Sequence, residues 1–157
     1  MIDQHDLRGR VTICLREPGG RVVEVRRVDN LITTAGRMLL AKLFTGALQT
    51  PNLTIAVGGK DDPAAAVTDV DLGARLDAAE ATVPGLEEVE EEGERRVVAT
   101  ISATLPATGA AAAQEIREAG IELAFSGAKP VLYNHVTFPV ISRAGNLEMT
   151  LTWEVIF

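Results

Sequence analysis

The chain of 157 residues has two histidines and three serines from which a nucleophilic site could be built. Such catalysis needs a nucleophile, a base that takes its proton, and a third group that orients the base. None of the serines lies in a nucleophile-elbow pattern; they are Ser102, Ser126 and Ser142. His5 lies near the N-terminus, and His135 lies in a β-rich run, where an ordinary strand histidine is the favoured interpretation. We therefore predict no catalytic residues.

A short glycine-rich segment, Val57-Gly-Gly-Lys60, is the one candidate for phosphate binding. Glycine amides can surround an anion, but a Walker motif continues from its lysine to Ser or Thr. Asp61 follows Lys60 here, so the favoured interpretation is a glycine turn after a strand. We predict no cofactor-binding residues.

Carboxylates are the remaining candidates for chemistry. Asp61-Asp62 and Asp69-Val-Asp71 could offer oxygens to calcium, but their spacing fits no calcium loop. The run from Glu87 to Glu94 is contiguous, whereas an acid and a base need pockets of different polarity. We interpret it as a solvated loop or strand end. The single cysteine, Cys14, can complete neither an intrachain disulfide nor a zinc cluster and is predicted to be buried. No metal site is predicted.

Composition narrows the classes of partner. The formal net charge is −7, which disfavours nucleic acid as the main partner. A small basic cluster at Arg21, Arg26 and Arg27 is diluted by Glu17 and Glu24. No apolar run is long enough for membrane insertion, and the polar, acidic N-terminus lacks the features of a signal peptide. The length predicts a single domain over 1–157, with a flexible N-terminal arm over 1–8.

The C-terminal residues show the clearest strand pattern. From Leu147 to Phe157 apolar residues alternate with Glu and Thr, which predicts a strand with one buried face. Trp153 and Phe157 share its apolar face, so core packing is favoured over stacking on a sugar. A second β-rich run over 131–141 and the short turn-forming segment after it predict a hairpin.

An N-terminal hairpin and a helix precede this region. Pro-Gly-Gly between two β-branched runs predicts strands over about 9–17 and 21–28. Apolar residues four apart then predict a helix over about 34–45, capped by Thr33 or Thr34 and ended by Gly46. The helix is apolar on most sides, so we expect it to be largely covered. Gly36 either costs about 1 kcal/mol relative to Ala or allows another backbone to approach closely.

Three further segments complete the predicted fold. Alternation predicts strands over 52–58 and 96–105. The segment 114–125 fits either a helix or a strand with a bulge at Gly120, and the strand is favoured. The sum is a mainly β protein: an antiparallel β-sandwich of about six to eight strands with one early α-helix.

Several blocks, in this order, resemble small structural proteins of tailed bacteriophages. The helix entry Asn30-Leu-Ile-Thr-Thr-Ala-Gly-Arg37 is similar to their Asn-Leu-(Val/Ile)-Thr-x-x-Gly-Arg, and Ile55-Ala-Val-Gly-Gly59 to their Ile-Ala-Val-Gly-x-Gly strand. An acidic, proline-containing loop follows in both. Ile116-Arg-Glu-Ala-Gly120 and the closing strand Leu151–Phe157 also have counterparts. Lys60 departs from the resemblance, because those proteins usually continue Gly-Thr-Gly.

The resemblance implies a non-enzymatic structural subunit of a virion, of the tail, baseplate or fibre-attachment type. It implies that the chain forms a homo-oligomer and contacts neighbouring virion proteins. Two alternatives stay open: a capsid decoration or head-associated subunit, and a ligand- or glycan-binding β-sandwich module. All of these are expectations.

Overall fold

The computed structural model describes residues 7–47, 51–125 and 128–157. These ranges contain ten β-strands and the helix α1 (Thr34–Phe44). In chain order the strands are β1 (Arg8–Arg16), β2 (Val22–Ile32), β3 (Asn52–Gly58), β4 (Arg75–Glu80), β5 (Thr82–Glu91), β6 (Glu94–Leu105), β7 (Gln114–Ala124), β8 (Val131–Leu132), β9 (Asn134–Arg143) and β10 (Glu148–Ile156).

All strand pairs are antiparallel, in the spatial order β4-β3-β7-β9-β2-β1-β10-β6-β5, with β8 beside β7. β2 and β9 pair only at Leu31–His135 and Ile32–Asn134, so this junction divides the sheet into two halves. The outermost strands β4 and β5 are consecutive in the chain and separated by Ala81 alone. The sheet therefore curls until its two ends meet. The mainly β, antiparallel architecture with one early helix is confirmed.

The core lies between the two halves of the curled sheet. In β1, Val11, Ile13 and Leu15 are buried, and the residues opposite Val11 and Ile13 on β10 are Trp153 and Leu151. Opposite residues in an antiparallel pair share a face, so the apolar stripes of β1, β10 and β6 form one continuous surface. Burial of each such side chain contributes about 1.5–3 kcal/mol. The assignment of Trp153 to the core is confirmed.

The structure has more strands than the six to eight predicted. β4 and β5 lie in Ala-, Asp- and Glu-rich sequence without an apolar period, and β5 contains Pro84. Both strands lie at an end of the sheet order, where one edge has no strand partner among the described residues and few side chains are buried. The alternation of apolar and polar residues that predicts a strand is therefore weak in them. β8 has two residues and is too short to give a pattern.

The segment 114–125 is a strand, as favoured, but its irregularity is not at Gly120. The register of β7 with β9 shifts between Ile116 and Glu118. The shift puts Ile116 in the main core together with Ala119 and Ile121. Glu118 consequently points to the opposite face of the sheet.

Helix α1 begins and ends as its sequence predicts. The Thr33 Oγ1 accepts a hydrogen bond of 2.9 Å from the Gly36 amide and caps the first turn. At the other end Gly46 has φ +73°, and the amides of Gly46 and Ala47 donate to carbonyls of the last turn. This is a Schellman arrangement, in which glycine relieves the strain of a left-handed residue.

The prediction that α1 is largely covered is wrong. Only Gly36 and Leu39 of the helix are buried, while Met38 and Phe44 are 56% and 93% exposed. The helix packs against the sheet along one narrow line, because it lies on the rim and not between the two halves. Within the described residues no helix is long and apolar enough to cross a bilayer.

The predicted arm over 1–8 overlaps the start of the described structure and stays a prediction for residues 1–6. β1 already begins at Arg8, and Leu7 packs against the core. Residues 1–6 lie outside the described residues. The single-domain prediction over 1–157 stays a prediction.

Gly36 is required by a close backbone approach. A Cβ at this position would lie 2.2 Å from the Tyr133 carbonyl oxygen. We expect Gly36→Ala to lower the free energy of unfolding by about 1–3 kcal/mol through overpacking, despite the helix propensity of alanine. Urea denaturation monitored by circular dichroism measures this. Gly85→Ala, whose Cβ would find only ordinary contacts at 3.7 Å, is the control. A Gly36→Ala protein as stable as wild type would contradict the assignment.

Candidate functional site

The candidate site lies on the outer face of β7, beneath the loop 59–74 that connects β3 to β4. Leu72 of this loop is buried against Ala56 and Leu132 and covers part of the sheet. Beside this small cluster Glu118, on β7, is 1% exposed. A buried carboxylate is tolerated only where hydrogen bonds replace its water.

The Glu118 carboxylate accepts hydrogen bonds from three backbone amides of the loop. Oε1 accepts from Ala74 at 2.7 Å and from Lys60 at 3.3 Å, and Oε2 accepts from Gly73 at 2.8 Å. The two ends of the loop are thus held on one side chain of the sheet. These charge-assisted bonds offset the cost of burying the carboxylate.

The glycine-rich segment lies against an anion of the protein itself, the Glu118 carboxylate, to which it contributes the Lys60 amide. β3 ends at Gly58, so the predicted glycine turn after a strand is confirmed. A Cβ at Gly58 would lie 2.3 Å from Glu118 Oε1 and 2.7 Å from the Ala74 carbonyl oxygen. Glycine is therefore needed because the carboxylate and the loop approach the backbone closely.

His135 lies on the other side of Glu118. Its Nε2 is 2.9 Å from Glu118 Oε2, and its Nδ1 is 2.6 Å from Asp69 Oδ2. The imidazole is 6% exposed. A protonated ring donates to both carboxylates, whereas a neutral ring donates to one of them only. His135 is thus a bridge between the sheet and the loop and not an ordinary strand histidine.

Asp69 completes the network from the middle of the loop. Its Oδ2 also accepts a hydrogen bond of 2.7 Å from the Ala66 amide. Partial burial raises the pKa of Asp69, but the hydrogen bonds from Ala66 and His135 outweigh this effect and hold the pKa below its ordinary value. Nearby, Thr34 donates its amide to the Val67 carbonyl, which ties the loop to the start of α1.

This network contains no nucleophile among the described residues. The His135 ring contacts two carboxylates. Ser102 lies on β6 and approaches Thr152 of β10, and Ser142 lies on β9. His5 and Ser126 lie outside the described residues. The geometry fits a structural clamp between sheet and loop, which we call the Glu118 clamp: Glu118, His135 and Asp69.

The other candidates do not converge on a site. Asp61 and Asp62 are exposed in the loop, and Asp71 pairs with Lys129 at 2.8 Å. In the described ranges no group of three or more His, Cys, Asp or Glu side chains is arranged to hold a metal ion. The run from Glu87 to Glu94 forms the end of β5 and the turn into β6, as one of the two interpretations predicted. Cys14 is buried, as predicted.

Arg143 is a second buried charge that sequence reasoning missed. Its Nη1 donates to Asp77 Oδ2 and Gln114 Oε1, both at 3.0 Å, and its Nε donates to the Leu147 carbonyl at 3.3 Å. Nη2 donates to the Pro106 carbonyl. The guanidinium fork thereby joins β9, β7 and β4, and each of its nitrogens has a partner within the protein.

Tyr133 has a buried hydroxyl for which the described residues provide no hydrogen-bond partner. Burial raises its pKa to about 12, although the charge of Arg37 partly opposes the shift. The ring belongs to the main core. A neutral phenol in this position contributes packing and no acid–base chemistry at neutral pH.

No sequence signal marked Glu118 as a buried residue. It directly follows Arg117, and Glu115 and Glu122 lie close by in the sequence, so it looks like one more exposed charge. The sequence marks His135 as a candidate catalytic base and Asp69 as a candidate calcium ligand, and neither as part of a clamp. Their meeting depends on the path of the loop, which no local pattern specifies. Comparison of the chain with protein-family models, with curated proteins and with solved structures found no match.

Replacement of Glu118 should separate the loop from the sheet. In Glu118→Gln an amide group replaces one acceptor oxygen and faces N–H donors. We expect the free energy of unfolding to fall by about 2–4 kcal/mol. Glu115→Gln, on the same strand but with a side chain 51% exposed, should stay within about 0.5 kcal/mol of wild type. Chemical denaturation measures both, and equal stabilities would refute the clamp.

Asp69 should make stability depend on pH. Its folded-state pKa is lowered, so its contribution is present above the unfolded-state value of about 4 and is lost as the pH falls through the folded value. We expect Asp69→Asn to destabilise the protein by about 1–2 kcal/mol at pH 7, with the difference shrinking in acid. Thermal unfolding from pH 3 to 8 measures it, with exposed Asp61→Asn as the control. A difference that grows in acid would contradict this sign.

Proposed function

We propose that this protein is a non-enzymatic structural subunit of a bacteriophage particle, of the tail, baseplate or fibre-attachment type. It would act through contacts with its own copies and with neighbouring virion proteins, and its location would be the virion. Support comes from the ordered sequence blocks that resemble such proteins. The structural observation that carries the proposal is apolar surface left uncovered by the single chain.

The uncovered surface includes the outer side of α1. Phe44 is almost fully exposed and Met38 is more than half exposed. Beside them lies a groove of about 330 Å³ whose lining is largely apolar and includes Leu39, Phe125 and Val131. Apolar surface of this kind typically marks a protein interface. A subunit that works in an assembly covers it with its neighbours.

The use of the buried polar groups supports a non-enzymatic role. His135 and Glu118 hold the loop, and Arg143 holds three strands. A catalytic base needs a free direction towards a substrate, and the contacts of His135 occupy both ring nitrogens. The residues best placed for chemistry are thus engaged in maintaining the fold.

A glycan-binding module is less well supported. Such sites use exposed aromatic rings beside polar groups, whereas Trp153 and Tyr133 are buried. Phe44 is exposed on α1, but the nearby helix residues Lys42 and Ala41 are not aromatic and provide no second ring for stacking on a sugar. A capsid decoration subunit would have the same surfaces and differs only in its position on the particle.

Two measurements test the proposal. Particles of the phage whose genome encodes the chain are purified, and mass spectrometry should detect the polypeptide in them in stoichiometric amounts. Labelled particles viewed by electron microscopy then separate tail from capsid. Absence of the polypeptide from particles, together with a monomer at high protein concentration, would refute the proposal. Hits on a glycan array would favour the binding-module alternative.

The exposed side of α1 provides a variant-level test. We expect Phe44→Ser/Met38→Ser to weaken self-association, or incorporation into particles, by about ten-fold or more, since burial of each side chain is worth about 1.5–3 kcal/mol. Stability should change little because both residues are exposed. Sedimentation velocity measures association, and Val83→Ser, an exposed residue on β5, is the control. Unchanged association and incorporation would remove α1 from the interface.

A further inference from the structure

We propose that the free edge of β2 pairs with β2 of a second copy of this chain, antiparallel and across a two-fold axis. This inference rests on the proposed function, because it specifies the surface and the symmetry of the self-association proposed there.

β2 has a long edge without a strand partner. Over Val22–Asn30 it pairs, within the described residues, with β1 alone, because its contact with β9 is confined to Leu31 and Ile32. The exposed residues of this stretch include Val22, Val23 and Val25, the last 56% exposed. An edge of this kind presents unpaired N–H and C=O groups and readily accepts a further strand.

The other free edges are protected. β5 has Pro84 and a run of glutamates, so a second strand would meet a missing donor and like charges. β9 has Pro139 and a register shift beyond its short backbone pairing with β2, and the Pro139 carbonyl accepts a hydrogen bond from the Arg26 side chain of β2, a contact that β2–β2 pairing would exchange for Glu24 of the second copy. β4 has only six residues. Prolines, charges, bulges and short length are the usual devices against edge pairing. β2 has no proline and is eleven residues long, and its one register shift with β1 leaves Val23 without a partner on that strand and the ladder from Glu24 to Asn30 regular.

The charges on β2 select both the partner and the register. Glu24 and Arg26 face the core side, because they pair with Leu15 and Ile13 of β1. Within one copy they form an ion pair of 2.5 Å along the strand. In an antiparallel pair centred on Val25, Glu24 of each copy lies opposite Arg26 of the other. Val25 then lies opposite itself and Val22 opposite Val28. A second copy of β2 is therefore complementary to the first.

Neighbouring registers are unfavourable. If the two-fold axis moves from Val25 to Glu24, the two copies of Glu24 lie opposite each other. If it moves to Arg26, the two copies of Arg26 do. Like charges directly opposite are destabilising. Registers of the other parity pair core-facing with outward-facing residues and break the continuity of the two cores. The register centred on Val25 satisfies both constraints and is the one that puts Glu24 of each copy opposite Arg26 of the other, and it continues the β1–β2 half of the sheet from one copy into the next.

Cysteine cross-linking tests the register. Cys14 is first replaced by Ser, because it is the partner of Val25 within the chain. In this background we expect Val25→Cys to form a covalent dimer under mild oxidation, or with a short bis-maleimide, at least ten-fold faster than Val23→Cys. In the proposed register the Cα atoms of position 23 in the two copies lie about 13 Å apart along the strands. Equal rates, or no dimer with either reagent, would overturn the inference.

Charge reversal provides a second, independent test. Glu24→Arg and Arg26→Glu each place like charges opposite one another in a homodimer, and we expect each to weaken dimerisation by roughly ten-fold. A mixture of the two single variants should form a heterodimer, because one copy then has two arginines at positions 24 and 26 and the other has two glutamates. Each residue 24 consequently lies opposite a residue 26 of opposite charge. The double variant, with both charges exchanged, should restore the homodimer. Circular dichroism confirms that each variant is folded, and a double variant that dimerises no better than the single variants would overturn the inference.

Failure of this inference and failure of the proposed function are distinguishable. An oligomer in solution that neither cross-links at Val25 nor responds to the charge reversals removes the β2 pairing but leaves a structural role. A β2 dimer in a protein that is absent from particles removes the virion role but leaves the pairing.

Discussion

The structure depends on the burial of one carboxylate. Removing Glu118 from water is costly, and the cost is offset only when the amides of Lys60, Gly73 and Ala74 and the ring of His135 are all in place. The loop 59–74 is therefore fixed as a unit, and Leu72 is brought down on the outer face of the sheet with it. A loop in which Leu72 is the one buried residue among those described is in this way ordered by polar contacts to one strand.

The same constraint accounts for the closing of the sheet. The loop delivers the chain to Arg75, where β4 begins beside β3, and one residue after the end of β4 the chain continues as β5 beside β6. β4 pairs with β3 at one end of the sheet, and β5 pairs with β6 at the other end. Since β4 and β5 are joined by one residue, their position sets the distance between the two halves. Arg143 supports this geometry from the other side through Asp77 on β4. Two buried charges, each with a complete set of partners, thus define the curvature that the apolar stripes fill.

The sequence predicted what is local and missed what is not. The hairpin at Pro-Gly-Gly, the cap at Thr33 and the stripe around Trp153 were correct because turn chemistry and period act over a few residues. β4 and β5 were missed because edge strands bury little, and the burial of α1 was overestimated because apolar content does not tell where a helix lies. Glu118 was missed as a site residue because the loop amides that bind it are 44 to 58 positions away along the chain. His135 was found but misjudged for the same reason.

The interior and the edge of the sheet treat polar groups differently. Inside, the buried Glu118, His135 and Arg143 all have hydrogen-bond partners, and Glu118 holds both ends of the loop 59–74. Outside, β2 leaves a valine-rich edge open although β5 and β9 show that this fold protects its edges elsewhere. A strand of uniform charge would be attracted by one of the inward-facing residues Glu24 and Arg26 and repelled by the other, whereas the two residues complement their own reversed sequence. An edge with this order of charges is suited to the proposed pairing with an identical partner.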